Sequence, residues 1–191
     1  MLESVSCFVR GCSLCVVSKP SSRKLGLYIP LSIPSRPWES VSMYFVGGLL
    51  MSKRNHDYIF VVVDRFNKIC ILMPCKKKII VEQTAQLFFH NVWVHFGLPT
   101  SIISDLYSRF VGNFWSSLWG FMDTKLKKIM TFHPQIDGKI EVVDKMVIHL
   151  LRGYSNKNPK LWDENLHYIQ HAYNQAKHSS TQTSPFEACF G

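Results

Sequence analysis

The stretch Tyr-Ile-Phe-Val-Val-Val at residues 58–63 is a continuous run of β-branched and aromatic residues. Such a run is typical of a strand that is buried on both faces of its sheet. Strand-like segments lie on either side of it, at residues 41–47 and 69–74, and the short connections predict an antiparallel meander. We therefore expect residues 41–47 and 58–63 to form neighbouring antiparallel strands.

Helical spacing follows the meander. Apolar residues recur at every third or fourth position through residues 81–96, and Gly97 with Pro99 predicts the end of that helix. Further helices are predicted at 110–122, 139–154 and 162–177, and short strands at 101–104 and 125–130. This order predicts an α/β fold in which helices flank one mixed five-stranded sheet.

The amino-acid composition indicates which class of protein this is and which kind of partner it binds. The chain has 191 residues, 47% apolar and 18% charged, which suits one globular domain and argues against general disorder. Its net charge of +9 favours a polyanionic partner, most often nucleic acid, with a solvated basic surface as the plain alternative. The six unevenly spread cysteines favour a reduced, intracellular protein. No apolar run reaches the roughly 18 residues of a membrane span, so no membrane partner is expected.

Two acids stand where phosphoryl-transfer chemistry could use them. Asp105 follows the predicted strand 101–104, and Glu141 is in the first turn of the predicted helix 139–154. Carboxylates on rigid elements can converge on Mg²⁺ or Mn²⁺, where one metal activates the attacking oxygen and the other stabilises the leaving oxygen. Spacing alone leaves ordinary roles open, since Glu141 can pair with Lys145 at i,i+4 and Asp105 can act as a cap.

Eight short segments together resemble the integrases of gypsy-type long-terminal-repeat retrotransposons, in the family's order and spacing. They are residues 37–43 (PWESVSM), 61–66 (VVVDRF), 95–99 (HFGLP), 103–105 (ISD), 132–135 (FHPQ), 137–138 (DG), 141–143 (EVV) and 184–187 (SPFE). The resemblance covers nearly the whole chain and is highly specific as a set. It implies a ribonuclease-H-like fold, nucleic-acid binding, and DNA strand transfer at an Asp-Asp-Glu metal site.

This resemblance makes Asp105 the second acid of the metal site and Glu141 the third. The family's first acid follows the residue equivalent to Met43, and this chain has Tyr44 there. A phenol, with an unperturbed pKa of about 10, is a poor metal ligand near neutral pH. We therefore expect weakened Mg²⁺ or Mn²⁺ binding and impaired catalysis. Asp64 is not expected to replace the lost carboxylate, because the family has an acid there in addition to its triad.

The first 36 residues are interpreted as an irregular arm, followed by the integrase-core-like domain at 37–191. Cys12 and Cys15 have zinc-ligand spacing and resemble the second half of the His-His-Cys-Cys module that precedes integrase cores. A tetrahedral zinc site needs four ligands, and no histidine occurs before His56. The arm is therefore interpreted as a remnant of that module, and zinc binding is not expected. Because the family also continues past Gly191, the chain is interpreted as truncated.

Lys139 and Lys145 are the predicted nucleic-acid contacts, since Lys145 lies one helical turn from Glu141 and could meet phosphate near the site. The leading hypothesis is a degenerate integrase core of a retrotransposon polyprotein, with DNA as its partner and a nuclear location if it functions. Self-association into a homo-oligomer stays open. The alternatives are a non-catalytic DNA-binding or self-association module, and an inert retroelement fragment.

Overall fold

The computed structural model describes residues 34–104, 113–114, 117, 137–155, 158–178 and 181–191, with backbone alone for 137–145. All of them belong to one compact unit, Ile33–Gly191. Their strands form one sheet, and helices pack on both of its faces. In this part of the chain no helix combines the length and the apolar character that crossing a bilayer requires.

The sheet has the strand order β3-β2-β1-β4. Its strands are β1 (Ser40–Val46), β2 (Tyr58–Asp64), β3 (Cys70–Cys75) and β4 (Ser101–Ser104). The first three form the predicted antiparallel meander, and β4 lies parallel to β1 on its other side. The described sheet thus has four strands where five were expected, because the predicted strand at 125–130 lies outside the described residues.

The helices begin with α1 (Val81–Phe88), which continues through a π-helical turn at Phe89–Trp93 and a last turn at Val94–Phe96. Gly97 then adopts a φ of 80°, a left-handed conformation that suits glycine, so the predicted stop is confirmed. The later helices are α2 (Asp137–Ser155), α3 (Leu166–Gln175) and α4 (Pro185–Phe190). Of the predicted helix at 110–122, only residues 113, 114 and 117 are described, and all three are helical.

One predicted helix starts later than expected. Residues 162–177 were predicted as one helix, but a 3-10 turn at Pro159–Leu161 is followed by further turns, and α3 begins only at Leu166. The amides of Glu164 and Asn165 donate to the carbonyls three residues earlier, at 3.1 Å each. The apolar spacing of the sequence continues through these turns, which is why it could not mark the true start.

Alternate residues of the strands face two separate apolar clusters, as expected for a sheet covered on both sides. On one face Met43, Phe60 and Val62 pack with α1. On the other face Tyr44 and Val61 pack with side chains of α2 and α3. Each fully buried large side chain contributes about 1.5–3 kcal/mol through the apolar surface that it removes from water.

Side-chain amides of α3 close the outer edge of β3. Asn174 accepts a hydrogen bond from the Cys70 amide at 2.9 Å and donates one to the Cys70 carbonyl at 3.0 Å. One turn earlier Gln170 accepts from the Leu72 amide at 2.8 Å, and Pro74 has no amide hydrogen to offer. These contacts satisfy an edge that would otherwise attract another strand.

Candidate functional site

The position of the expected first acid lies at the centre of the sheet. Tyr44 pairs with Val61 of β2, and its neighbour Met43 pairs with Ser104, the last residue of β4. Asp105 follows Ser104 in the sequence and lies outside the described residues. The predicted parallel pairing of the two strands is therefore confirmed up to the residue before Asp105.

The side chain of Tyr44 is only 1% exposed. It belongs to the cluster formed by Val46 and Val61 of the sheet with Val147 and Leu151 of α2. Tyr44 therefore faces the side of the sheet that α2 covers, and α2 is the helix that carries Glu141. At this position the chain places an aromatic ring in an apolar layer.

The other predicted site residues on α2 are described only by their backbone. Lys139, Glu141 and Lys145 all lie in this helix, as predicted. Glu141 precedes Ile148 by seven residues, so both positions fall on the same side of the helix, and Ile148 packs against the Tyr44 cluster. Whether the carboxylates of Asp105 and Glu141 converge stays a prediction. Within the described residues no three His, Cys, Asp or Glu side chains are grouped as metal ligands.

Asp64 lies on the opposite face of the sheet from Tyr44. It pairs with Val41 at the far end of β1, three positions from Tyr44, and its side chain has no exposed surface. Its carboxylate accepts hydrogen bonds at 3.3 Å from the amides of Phe66 and Asn67, which shapes the turn into β3. Burial raises the pKa of Asp64, against these hydrogen bonds. Asp64 and Tyr44 thus lie on different faces of the sheet, and the expectation that Asp64 does not replace the first acid stays a prediction.

A second polar site joins the loop after β1 to the turns before α3. Asp163, whose side chain is 1% exposed, accepts a hydrogen bond at 2.8 Å from the Ser52 hydroxyl. It accepts another at 2.8 Å from Nδ1 of His56, which is 25% exposed. The Ser52 oxygen in turn accepts from the backbone amides of Arg54 and His56. Because the His56 imidazole contacts Asp163 and only the His56 backbone amide contacts the Ser52 hydroxyl, these three residues are not arranged as a nucleophilic triad.

Three more contacts hold the same two segments together. The Trp162 indole donates to the Leu50 carbonyl at 2.6 Å. The Lys53 amide donates to the Lys160 carbonyl at 2.9 Å, and the exposed pair Arg54–Glu164 lies 3.4 Å apart. We call the two segments, residues 50–56 and 160–164, the hairpin clip. It ties the end of β1 to the connection between α2 and α3.

Asp163 has one oxygen, Oδ1, that is buried without a hydrogen-bond partner in the described part of the chain. Burial raises its pKa, but the hydrogen bonds from His56 and Ser52 outweigh burial, and the pKa of Asp163 is lowered. The clip was missed from the sequence, because its partners are 107 and 111 residues apart and Asp163 was assigned to a helix. No local signal links such distant residues.

The sequence comparisons point to mobile elements. The chain is 38% identical over 181 residues to the Transposon Tf2-3 polyprotein of Schizosaccharomyces pombe, and equally to the Tf2-4 and Tf2-5 polyproteins of the same organism. The match covers 94% of this chain and 14% of each polyprotein. The chain therefore spans a small part of the length of these curated relatives. No model of a known protein family matches the chain.

Solved structures with a similar fold come from retroviral integration machinery. A chain in the cryoEM structure of the simian T-cell lymphotropic virus intasome in complex with PP2A regulatory subunit B56 gamma has a TM-score of 0.67 and 18% identity. That match covers 100% of this chain and 67% of the other. The HTLV-2 integrase catalytic core domain in complex with magnesium, in its trimeric form, has a TM-score of 0.60 and 17% identity. It covers 80% of this chain and 96% of that core. The expected ribonuclease-H-like fold is thereby confirmed.

Proposed function

We propose that this chain, an integrase catalytic-core-like domain of the retrotransposon type, binds DNA but is impaired in metal-dependent strand transfer because Tyr44 holds the position of the first metal-binding acid. The observation that carries the proposal is the burial of Tyr44 in an apolar layer between β1 and α2. A side chain that packs there as part of the core is not available to bind a cation.

A neutral side chain at position 44 changes the charge balance of the proposed metal site. Two divalent cations about 4 Å apart repel each other strongly unless anionic ligands lie between them. In this enzyme class the first acid touches both cations, as the family resemblance implies. A neutral phenol at position 44 removes that shared negative charge, and its ring fills space that a metal ion would need. The donor set at this position therefore does not fit a pair of cations.

Mg²⁺ or Mn²⁺ remains the proposed cofactor, with Asp105 and Glu141 as its ligands and with weakened affinity. The HTLV-2 core was determined in complex with magnesium, and carboxylate oxygens are ligands that Mg²⁺ accepts. When bound, such a cation acts as a Lewis acid at a phosphoryl oxygen.

DNA is the proposed partner, with Lys139 and Lys145 of α2 as contacts. The net charge of +9 and the intasome structure with a similar fold support this choice. We extend self-association to this chain as well, since HTLV-2 cores were determined in trimeric and dimeric forms. A nuclear location follows if the domain meets chromosomal DNA. A non-catalytic binding module shares these contacts and differs only in never having used a metal.

A strand-transfer assay tests whether the catalytic activity of the chain is impaired. A pre-processed DNA end is incubated with target DNA and Mn²⁺, in the presence of either the unmodified chain or Tyr44→Asp. We expect no joining by the unmodified chain. If it joins DNA ends as well as Tyr44→Asp does, the claim that the lost carboxylate disables the site is wrong.

Metal binding is tested separately by isothermal titration with Mn²⁺. We expect weak binding by the unmodified chain and tighter binding by Tyr44→Asp, because the substitution returns the shared ligand. Glu141→Gln in the unmodified chain is the control, since it leaves the core packing of position 44 intact. Weak Mn²⁺ binding that Glu141→Gln leaves unchanged would mean that Glu141 is not a ligand, and the proposed site would be abandoned.

A further inference from the structure

A cleft of about 430 Å³ lies where the hairpin clip, the end of β3 and α1 meet. Four basic side chains line it: His56 from the clip, Lys76 and Lys78 after β3, and His90 from the π-helical turn. No carboxylate is among its lining residues in the described part of the chain. Because it lies beside β3 and α1, the cleft is separate from the Tyr44 side of the sheet, which α2 and α3 cover.

The turn after β3 is held in place by hydrogen bonds. Asp57 accepts one from the Lys77 amide at 2.7 Å, and the Ile79 amide donates to the Lys76 carbonyl at 3.0 Å. Lys76 and Lys78 line the cleft, whereas Lys77 between them does not. Two of these three consecutive lysines therefore line the cleft, and the third, which has the same charge, does not.

His56 is fixed on the other wall. Its Nδ1 donates to the buried carboxylate of Asp163 at 2.8 Å, so the orientation of the ring is set by the clip. That contact leaves Nε2 for a ligand in the cleft, and Nε2 donates to an anionic ligand only when the ring carries its second proton. A histidine oriented in this way by a buried acid loses little side-chain freedom when a ligand binds.

The floor of the cleft is a stripe of polar groups along one side of α1 and the π-helical turn. Gln83, Gln86 and His90 line it, with Asn91 beside them. From residue 83 to residue 90 the helix rises about 10 Å at 1.5 Å per residue. The side-chain amides along this length can donate hydrogen bonds to phosphate oxygens.

We propose that this cleft is a second DNA-contact surface, where Lys76 and Lys78 bind the phosphodiester backbone on the side of the sheet away from Tyr44. The inference rests on the proposed DNA binding of the domain. Cationic and amide donors without a competing carboxylate suit phosphate oxygens, and such contacts position the protein without reading base sequence.

The test uses the full chain and a fluorescein-labelled 20-base-pair DNA duplex, with binding measured by anisotropy at 50 and 200 mM KCl. The variants are K76Q, K78Q, the double variant, and K77Q as a control with the same charge change in the same turn. We expect the double variant to reduce the slope of log affinity against log salt by about two, because each phosphate contact contributes about 0.9. K77Q is expected to leave the slope within about 0.3 of the unmodified chain, because Lys77 makes no phosphate contact.

Each alternative outcome is distinct. If the unmodified chain binds DNA and all three single lysine variants lower the slope equally, the basic surface is diffuse and the cleft inference is overturned, while the proposed function stands. If the unmodified chain does not bind DNA at 50 mM KCl, the proposed DNA binding fails, and the cleft inference fails with it. A last experiment measures the binding of the same variants to anionic vesicles of phosphatidylserine and phosphatidylcholine. Vesicle binding that needs Lys76 and Lys78, together with DNA binding that does not, would assign the cleft to a lipid surface.

Discussion

Position 44 and position 163 both lie deep in the protein, but only one of them holds a carboxylate. Two donors, the Ser52 hydroxyl and the His56 imidazole, both contact one oxygen of Asp163. The residues clustered with Tyr44 are instead apolar, with Val46 and Val61 from the sheet and Leu151 from α2. Position 163 could keep its charge because protein donors supply what water would have supplied.

This difference explains why the change at position 44 suits the metal-free fold. On the proposed assignment of position 44, the groups that compensate a carboxylate there would be metal cations, which are present only when the site is loaded. A carboxylate buried there without cations would carry an uncompensated charge. Tyr44 avoids that cost and adds aromatic packing between β1 and α2. Under the proposed function, Tyr44 thus favours folding over metal binding at this position.

The largest expected effect comes from placing a charge at position 44. Tyr44→Asp should lower the free energy of unfolding by about 3–5 kcal/mol without divalent cations, because it opens a cavity and buries an unpaired charge. Urea denaturation monitored by tryptophan fluorescence measures this loss. Tyr44→Asn creates a cavity of similar size without the charge, and Tyr44→Phe keeps the ring.

These two controls separate the causes. We expect Tyr44→Phe to stay within about 1.5 kcal/mol of the unmodified chain, because only the hydroxyl is lost. Tyr44→Asn should lie between Tyr44→Phe and Tyr44→Asp. Saturating Mn²⁺ should return stability to Tyr44→Asp more than to Tyr44→Asn, because a ligand that binds only the folded state stabilises it. Equal stability of Tyr44→Asp and Tyr44→Asn without metal would show that charge burial is not the dominant cost.

The second-largest expected effect concerns the buried carboxylate of Asp163. Asp163→Ala removes the acceptor for Ser52 and His56, and we expect a loss of about 2–4 kcal/mol, because hydrogen bonds to a charged group are stronger than neutral ones. Thermal denaturation followed by circular dichroism at pH 7 measures it. Glu164→Ala is the matched control, since its ion pair with Arg54 is exposed and contributes at most about 1 kcal/mol. An Asp163→Ala variant as stable as Glu164→Ala would mean that the clip does not depend on the buried acid.

The sequence could predict most of the sheet, because its signals are local. The run at 58–63 and its neighbours predicted the meander, and the strand ending at Ser104 was placed at its observed bounds. The start of α3 was wrong by four residues, since turns and helix share the same apolar spacing over one or two turns. The helix α4 was not predicted, although the capping box between Ser184 and Glu187 is a readable start signal.

At the candidate site too, some features could be predicted from the sequence and others could not. That position 44 holds no carboxylate was readable from the sequence, through a resemblance to a family that has an acid there. Its burial against α2 was not readable, because β1 and Val147 are about a hundred residues apart and meet only in the folded chain. The clip and the cleft were missed because each joins separate segments, with residues 50–56 and 160–164 in the clip and His56, the end of β3 and α1 in the cleft. Side-chain chemistry can be inferred locally, whereas partners across the fold require coordinates.

The smallest expected effect is a pH dependence that distinguishes the two buried acids, Asp64 and Asp163. The folded-state pKa of Asp163 is lowered, so the stability that it contributes is complete above its ordinary value of 3.8 and is lost as the pH falls through the lowered value. Burial raises the pKa of Asp64, so its contribution has the opposite sign: stability is greatest below pH 3.8 and declines as the pH rises through the raised value. These opposite signs make different predictions for the two asparagine variants.

Urea denaturation between pH 2.5 and 7 should show a steeper loss of unfolding free energy towards acid pH in the unmodified chain than in Asp163→Asn, which cannot titrate there. Asp64→Asn should instead flatten the dependence of unfolding free energy on pH above pH 3.8. If Asp163→Asn has the same profile as the unmodified chain below pH 3.8, then the hydrogen bonds from Ser52 and His56 do not favour the charged form of Asp163, and the contrast between positions 44 and 163 rests on packing alone.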